Sequence, residues 1–336
     1  MTGLVSAKFF RRKRVLVFFT IVVLIALLIT SIETGFDAGS LLSVTMISAT
    51  PLILGAIGEI YAELSGVMNL GVEGMMSTGA ILGVVGAVAM ANPWGGIVLS
   101  IAGGGFLALA YGIVVIKYRG MQVPAGLGLF MFGLGLSGII GTSYIGMPLP
   151  YNFPKIPIPV LADIPVIGKF LFNHDILVYI TYLLVFIFWF ILYKTKMGLY
   201  IRSTGEDPGA ADSAGVNVFR IRYLCVILGG VLAGLAGAYL SLAWTPGWNE
   251  GMVAGRGWIV ISLTIFSLWG PARAFLGALL FGGVYAGQYL LQGLGIPVRI
   301  LGMLPYAVTI IALSAVYLFR KRLGAPTALG EPYKRE

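Results

Sequence analysis

The sequence predicts an all-α integral membrane protein of about ten transmembrane helices, arranged as two inverted repeats of five. Composition, recurring apolar runs and the distribution of basic residues predict this class. Of the 336 residues, 58% are hydrophobic and 10% are charged, and the mean hydropathy is +0.96. Soluble domains carry about 25% charged residues. The composition therefore indicates a chain embedded in a lipid bilayer. The bilayer is thus one of the partners that we predict.

Apolar runs of spanning length recur along the chain. Each is close to the roughly 20 residues that cross a bilayer as a helix. The first run follows "RRKR" and resembles a signal sequence, but no A-x-A-type site follows it, so we expect it to be retained. The stretch 58–74 is predicted to be partly re-entrant. Residues 1–336 are predicted to form a single transmembrane domain. The predicted spans are 15–33, 40–58, 72–92, 95–116, 124–145, 175–193, 223–244, 252–269, 273–292 and 300–319.

The basic residues support this topology. With both termini in the cytoplasm, eighteen of the 22 Lys and Arg lie in inside segments, as the positive-inside rule requires. Two sets of five spans then have opposite orientations, which is typical of transporters. The basic residues lie at the ends of apolar runs, so the net charge of +9 does not indicate nucleic-acid binding. The outside segments hold Lys155, Lys169, Arg256 and Arg299.

Several kinds of chemistry are excluded. The single cysteine, Cys225, and the single histidine, His174, rule out an internal disulfide and a Cys- or His-rich metal site. The chain has no G-x-x-x-x-G-K-[ST], H-E-x-x-H or G-x-S-x-G motif. We therefore predict no catalytic residues, no metal and no cofactor bound by this chain.

Two long segments lie outside the predicted spans. The outer loop 146–174 is Pro-rich and is either a lid or buttress on the outer face or a simple connector. The inner loop 194–222 contains "GEDPGAADSAGV", which predicts a short helix outside the membrane. This segment either docks into a groove of another protein or is an ordinary surface loop without a partner. We assign the cap to Glu206 and Asp207, and the first turn to Pro208. The smooth face is assigned to Ala210 and Ala211, and the end of the helix to Gly215.

Three stretches together resemble the permease subunit of bacterial ABC importers: "GEIYAELSGVMNLGVEGMMSTGA" at 58–80, "GEDPGAADSAGV" at 205–216 and "GAPTALGEPY" at 324–333. The resemblance extends over about 40–333. It is to the family that includes branched-chain amino acid, ribose-type sugar and nucleoside permeases, and it is greatest for the nucleoside/simple-sugar branch.

The resemblance implies a type II ABC-importer-like permease in the bacterial cytoplasmic membrane. It also implies three protein partners: a second, different permease chain, a cytoplasmic ATPase that uses ATP and Mg²⁺, and an extracytoplasmic substrate-binding protein or lipoprotein. The short helix of the inner loop would then be the coupling helix on which the ATPase docks. The implied cargo is a nucleoside or a similar small neutral solute. The alternatives are a monosaccharide, a branched-chain amino acid, or a secondary transporter without an ATPase.

The acids of the opening stretch need an explanation, because a charge at mid-bilayer costs about 2.5–3.5 kcal/mol on insertion scales. Glu59 and Glu63 are four residues apart and share a helix face. We expect them at the inner interface, in water or beside Arg119 or Arg273, where they would hold an inner gate or the ATPase-facing surface.

Asn69 and Glu73 flank a Gly-rich helix start. Together with Ser77 they either offer hydrogen bonds to a solute or fix a broken helix. Asn249 begins a similar N-x-G element, "NEGMVAG", which is predicted to open a Gly-rich helix in the second half. Asn249 is therefore a further candidate for the pathway. Trp244, Trp248 and Trp258 either offer aromatic faces to a base or anchor the chain at the membrane interface.

Overall fold

The computed structural model describes residues 20–25, 37–293, 296–319 and 324–335. Two short strands, β1 (Lys155–Pro157) and β2 (Asn173–Asp175), accompany the helices. Single π-helical turns extend α3 and α9, and a 3-10 turn extends α4. The helices are α1 (Ala38–Leu64), α2 (Val72–Ala89), α3 (Pro93–Gly112), α4 (Gln122–Gly141), α5 (Ile167–Leu171), α6 (Ile176–Lys194), α7 (Lys196–Glu206), α8 (Pro208–Ser213), α9 (Val218–Tyr239), α10 (Arg256–Phe266), α11 (Pro271–Gly293), α12 (Val298–Leu301) and α13 (Leu304–Phe319).

Within the described residues, seven helices are long and apolar enough to cross a membrane. They are α1, α2, α3, α4, α6, α9 and α11, where α3, α4 and α9 include their short extensions. Two predicted spans are shorter than expected, since α10 has 11 residues and α13 has 16. The first predicted span, 15–33, lies outside the described residues except for the helical stretch 20–25, where Thr20 donates a hydrogen bond to the Leu276 carbonyl at 3.1 Å.

Helix α1 is the centre of the bundle. Its residues from Leu41 onward are almost all buried, and α9, α10 and α11 pack around it. A Cβ at Gly58 would lie 2.9 Å from the Cα of Gly229 on α9. The close approach of these two backbones gives the dispersion contacts that hold membrane helices together in the absence of water.

One end of the bundle is closed by the Pro-rich segment, and we call it the hairpin end. Strands β1 and β2 pair antiparallel there. The Phe153 N–H donates to the Leu242 carbonyl at 3.0 Å, and Lys169 pairs with Asp37 at 2.8 Å. This hydrogen bond with Lys169 holds the pKa of the Asp37 carboxyl well below its usual range. The segment therefore packs as a buttress and is more than a simple connector.

The opposite end, which we call the tail end, is where the C-terminal tail packs. The Gly330 N–H donates to the Gly66 carbonyl at 3.2 Å, and the Met68 N–H donates to Gln122 Oε1 at 2.7 Å. Within the described residues, the predicted inside segments 194–222 and 324–335 thus meet at the tail end, and the predicted outside segment 146–174 lies at the hairpin end. This separation is what the alternating topology requires.

The inner loop contains two helices where the sequence predicted one. The short helix was predicted correctly as α8: Asp207 Oδ1 caps it by accepting from the Ala210 N–H at 2.9 Å, and Gly215 follows it with φ +85°. Helix α7 was missed because its sequence, KMGLYIRSTGE, contains Gly, Ser and Thr, which are weak helix formers. Thr195 caps α7 through its hydroxyl.

Candidate pathway site

The connection between α1 and α2 folds back into the bundle. After Leu64 the chain turns at Gly66, whose φ of +92° favours glycine. The Val67 N–H then donates to the Ala62 carbonyl at 3.1 Å, and the Asn69 N–H donates to Glu59 Oε1 at 3.0 Å. Residues 65–71 therefore run back beside the last turns of α1, and α2 begins inside the bundle. This confirms the predicted break in the helix.

Asn69 is buried at this break. Its side-chain oxygen accepts from the Gly71 N–H at 2.9 Å, and its amide nitrogen lies 3.5 Å from the sulfur of Met75. The side chain thus shapes the turn that starts α2, which is the helix-fixing alternative of the sequence analysis.

Glu73 joins the start of α2 to the start of α10. Its Oε1 accepts from the Gly255 N–H at 2.8 Å, and its Oε2 accepts from the Gly257 N–H at 2.6 Å. The first N–H groups of a helix have no intrahelical acceptor, so this carboxyl group satisfies two donors of α10. A Cβ at Gly257 would lie 2.5 Å from the Glu73 Cα, so the contact requires glycine. Two interrupted helices therefore meet with their N-termini at one carboxyl group.

Arg256 forms the centre of an aromatic cluster beside this junction. Its guanidinium carbon lies 4.6 Å from the ring centroid of Trp244 and 5.0 Å from that of Tyr285. Its Nη1 donates to the carbonyls of Met252 and Val253 at 3.0 and 2.9 Å. Its buried Nε has no acceptor among the described residues. Rings at this distance attract a cation, so we call Trp244, Arg256 and Tyr285 the arginine–aromatic cluster.

Sequence reasoning counted Arg256 only as an outside charge. The available signal was an isolated cation between two Trp-bearing segments, Trp244 and Trp258. Tyr285 carried no local signal, because it lies 29 residues further along the chain.

The remaining predicted pathway residues fall into three environments. Trp258 is half-buried and packs edge-on against Phe130, with the ring centroids 5.4 Å apart. Ser77 is buried and contributes its carbonyl, which accepts from the Ser137 hydroxyl at 2.9 Å. Asn249 is exposed in a loop, and α10 begins only at Arg256, so the prediction that Asn249 opens this helix was wrong.

Trp248, the third tryptophan, is buried inside the protein. Its indole N–H donates to the Ser137 hydroxyl at 3.3 Å. It therefore neither anchors the chain at the membrane interface nor presents a free face to a solute.

The expected surroundings of Glu59 and Glu63 were wrong. Each side chain is 1% exposed, so neither keeps water nor forms a surface. Neither pairs with Arg119 or Arg273: Glu59 accepts from the Asn69 N–H, and Glu63 Oε2 accepts from the Trp269 indole N–H at 2.5 Å. Arg273 instead donates to the Leu268 carbonyl. Both acids therefore fasten α1 to neighbouring segments.

Metal ligation has no support among the residues that the structure describes, since they include no group of three or more His, Cys, Asp or Glu able to hold an ion.

A family model described as the permease component of the branched-chain amino acid transport system matches residues 41–313. The chain belongs to this permease family. A Haloferax volcanii protein, named provisionally as a glucose ABC transporter permease, is 38% identical over 328 residues, covering 90% of this chain and 99% of the relative. The guanosine ABC transporter permease of Bacillus subtilis is 36% identical over 307 residues, and the nucleoside ABC transporter permease of Lactococcus lactis is 33% identical over 308; each match covers 86% of this chain and 94% of the relative.

The chain is therefore a multi-pass ABC transporter permease and not an enzyme. Membership of this family implies an ATPase and a substrate-binding protein as partners, and it excludes the alternative of a self-sufficient secondary transporter.

Proposed function

We propose that this chain translocates nucleosides, or a similar small neutral solute, into the cytoplasm as one permease subunit of an ATP-driven importer. The observation that carries the proposal is the arginine–aromatic cluster beside the junction of α2 and α10. Its rings can stack on a base, and base–aromatic stacking contributes about 1–3 kcal/mol per base. The buried Nε of Arg256 is a donor that a carbonyl or hydroxyl of a solute could satisfy.

The acids near the junction support a neutral cargo. Glu59, Glu63 and Glu73 each accept from an N–H group of the protein, and both oxygens of Glu73 are engaged before a solute arrives. The second oxygen of Glu59 is buried inside the protein, so it does not face a solute. Trp258 on α10 and Phe130 on α4 form a second, half-buried aromatic pair. A monosaccharide is the second candidate, because the relative with 38% identity is named for glucose.

The proposed architecture has ten spans in two inverted repeats, with both termini in the cytoplasm and the tail end on the cytoplasmic side. The interrupted starts of α2 and α10 support it, since half-helices that meet near mid-membrane are typical of inverted-repeat transporters. The membrane is the bacterial cytoplasmic membrane. The second permease subunit is a different, related chain.

The proposed coupling helix is α8, on which the ATPase docks. An open groove of about 360 Å³ lies between α7 and α8 and is lined by Tyr200 and Ala211, among others. Ala211 is only 4% exposed, so it packs inside the loop. Gly209, Ala210 and Ser213 are exposed and offer the smooth face that a partner's groove needs.

An Ala210→Arg variant is expected to bind the ATPase about 100-fold more weakly, the effect of losing about 3 kcal/mol at a packed interface. The large charged side chain would stand on the smooth face of α8. Co-purification of the ATPase with the membrane-inserted chain measures this. Met147→Arg, exposed at the hairpin end, is the control and should bind normally. Undiminished co-purification with Ala210→Arg would contradict docking on α8.

The cognate substrate-binding protein is expected to be stabilised by a nucleoside such as guanosine. A ligand at about 1,000 times its Kd adds about 4 kcal/mol to the stability of the protein that binds it. A thermal-shift screen with guanosine, other nucleosides and glucose measures the effect. A shift with glucose and none with any nucleoside would replace the nucleoside assignment by the monosaccharide one.

A further inference from the structure

The C-terminal tail, residues 324–335, lies across the two helices of the inner loop. The Thr327 hydroxyl donates to Glu206 Oε2 at the end of α7 at 2.9 Å. The Tyr333 hydroxyl donates to Asp212 Oδ2 on α8 at 3.0 Å, and Arg335 pairs with the same oxygen at 2.9 Å. The tail thus contacts α7 through the carboxylate of Glu206 and α8 through the carboxylate of Asp212.

The same tail is also fastened to the connection between α1 and α2. The Ala328 N–H donates to the Gly205 carbonyl at 2.9 Å, and the Gly330 N–H donates to the Gly66 carbonyl at 3.2 Å. Ala328 is buried, and Leu329 packs against the main core. The tail is therefore an ordered bridge between the inner loop and residues 65–71.

Arg222 fixes the crossing point. It is 2% exposed and has no ion pair among the described residues. Its Nε donates to the Ser65 carbonyl at 3.1 Å, and its Nη1 donates to the Glu331 carbonyl at 3.0 Å. A Cβ at Gly66 would lie 2.7 Å from Arg222 Nη2, so the turn is shaped around the guanidinium group. A buried guanidinium is costly unless it is hydrogen-bonded. Two of its nitrogens make bonds that join the tail to the start of the connection, and Nη2 has no acceptor among the described residues.

From this crossing point the contacts continue to the pathway site. Residues 65–71 are bonded to Glu59 through Asn69, and they lead directly into α2. Glu73, in the first turn of α2, holds the start of α10 through Gly255 and Gly257. Packed and hydrogen-bonded segments of this kind can carry coupling between distant sites.

We propose that the C-terminal tail is a positioning strap that fixes α8 to the 65–71 connection, so that a movement of α8 reaches the starts of α2 and α10. The proposal rests on the docking of an ATPase on α8. The strap touches neither ATP nor solute; it acts by keeping two protein segments at a fixed separation.

The strap is tested in the complete transporter in proteoliposomes, with ATP hydrolysis and uptake of guanosine or glucose measured together. Removing the strap's side-chain contacts by Thr327→Ala, Tyr333→Phe and Arg335→Ala is expected to lower uptake per ATP about tenfold, within the range of known coupling energies. ATP hydrolysis should change less than about twofold, well under that coupling effect. Lys334→Ala, exposed and adjacent, is the control and should behave as wild type. An unchanged ratio, or an equal fall in hydrolysis and uptake, would overturn the strap.

Rescue separates the strap from damage to the docking face. Asp212→Arg alone should lower uptake per ATP, and adding Arg335→Asp should restore it, because the ion pair is rebuilt with reversed charges. Failure of the double variant to recover would show that Asp212 acts by another route and would overturn the proposal.

Amide hydrogen exchange on the isolated full chain in detergent needs no ATPase. The triple variant should exchange faster both at 205–216 and at 65–71. Faster exchange confined to the tail would overturn the strap. By contrast, if the wild-type chain binds no ATPase, the proposed docking on α8 is wrong. The exchange result would still show whether the tail holds the two segments together.

Discussion

A Glu73→Ala variant is expected to unfold about 4 kcal/mol more easily than wild type and to lose transport. The substitution leaves the part-buried N–H group of Gly255 and the buried N–H group of Gly257 without an acceptor, and each buried donor left unpaired costs about 1–3 kcal/mol. The start of α10 would then move away from the start of α2. Glu73→Gln keeps one acceptor oxygen and should lose about half as much stability.

Thermal unfolding of the purified chain in detergent measures the loss of stability, and uptake by the reconstituted transporter measures the loss of function. Glu250→Ala is the matched control, because Glu250 is exposed in the same region of the second half and its side chain makes no hydrogen bond or ion pair with the other described residues. A Glu73→Ala chain with the melting temperature and uptake of wild type would show that the two helices do not depend on this carboxyl group.

An Arg256→Ala variant is expected to reduce uptake about 100-fold. The guanidinium contacts two rings, each worth up to about 2 kcal/mol where water is excluded, and it bonds two carbonyls of the loop before α10. Arg256→Lys keeps the charge but not the planar group that stacks on rings and bonds two carbonyls, so it should recover only a small part of the activity.

Arg256 could contact the solute, or it could only hold the loop before α10 in place. The concentration dependence of uptake distinguishes these two roles. A solute contact predicts a raised KM for Arg256→Lys with little change in melting temperature. Arg299→Ala, at an exposed arginine, should match wild type in both measurements. Full uptake by Arg256→Ala would remove the arginine–aromatic cluster from the pathway.

The features predicted from the sequence are those set by local chemistry. Apolar runs are long enough to define the spans α1 to α4, and the caps and glycines around Asp207 and Gly215 define α8. The break between α1 and α2 was also predictable, because glycine and asparagine cluster there. Each of these signals lies within about two helical turns of the structure that it predicts.

The features that could not be predicted depend on contacts between distant parts of the chain. Glu63 meets Trp269 across 206 positions, and Glu73 meets Gly257 across 184. A buried acid and an acid at the membrane interface look alike in sequence. The prediction that basic residues pair with Glu59 and Glu63 was therefore wrong. The role of the tail was likewise hidden, since its contacts with Asp212 and Gly66 require the folded bundle.

ATP-driven uptake by the complete transporter tests the proposed function most directly. Proteoliposomes holding this chain, its partner permease and the ATPase, supplied with the substrate-binding protein, are given radiolabelled guanosine or glucose, with ATP or with a non-hydrolysable analogue. We predict that guanosine accumulates only with ATP and that glucose does not accumulate. Uptake of glucose without guanosine, or uptake of guanosine that proceeds equally well without ATP hydrolysis, would contradict the proposed function.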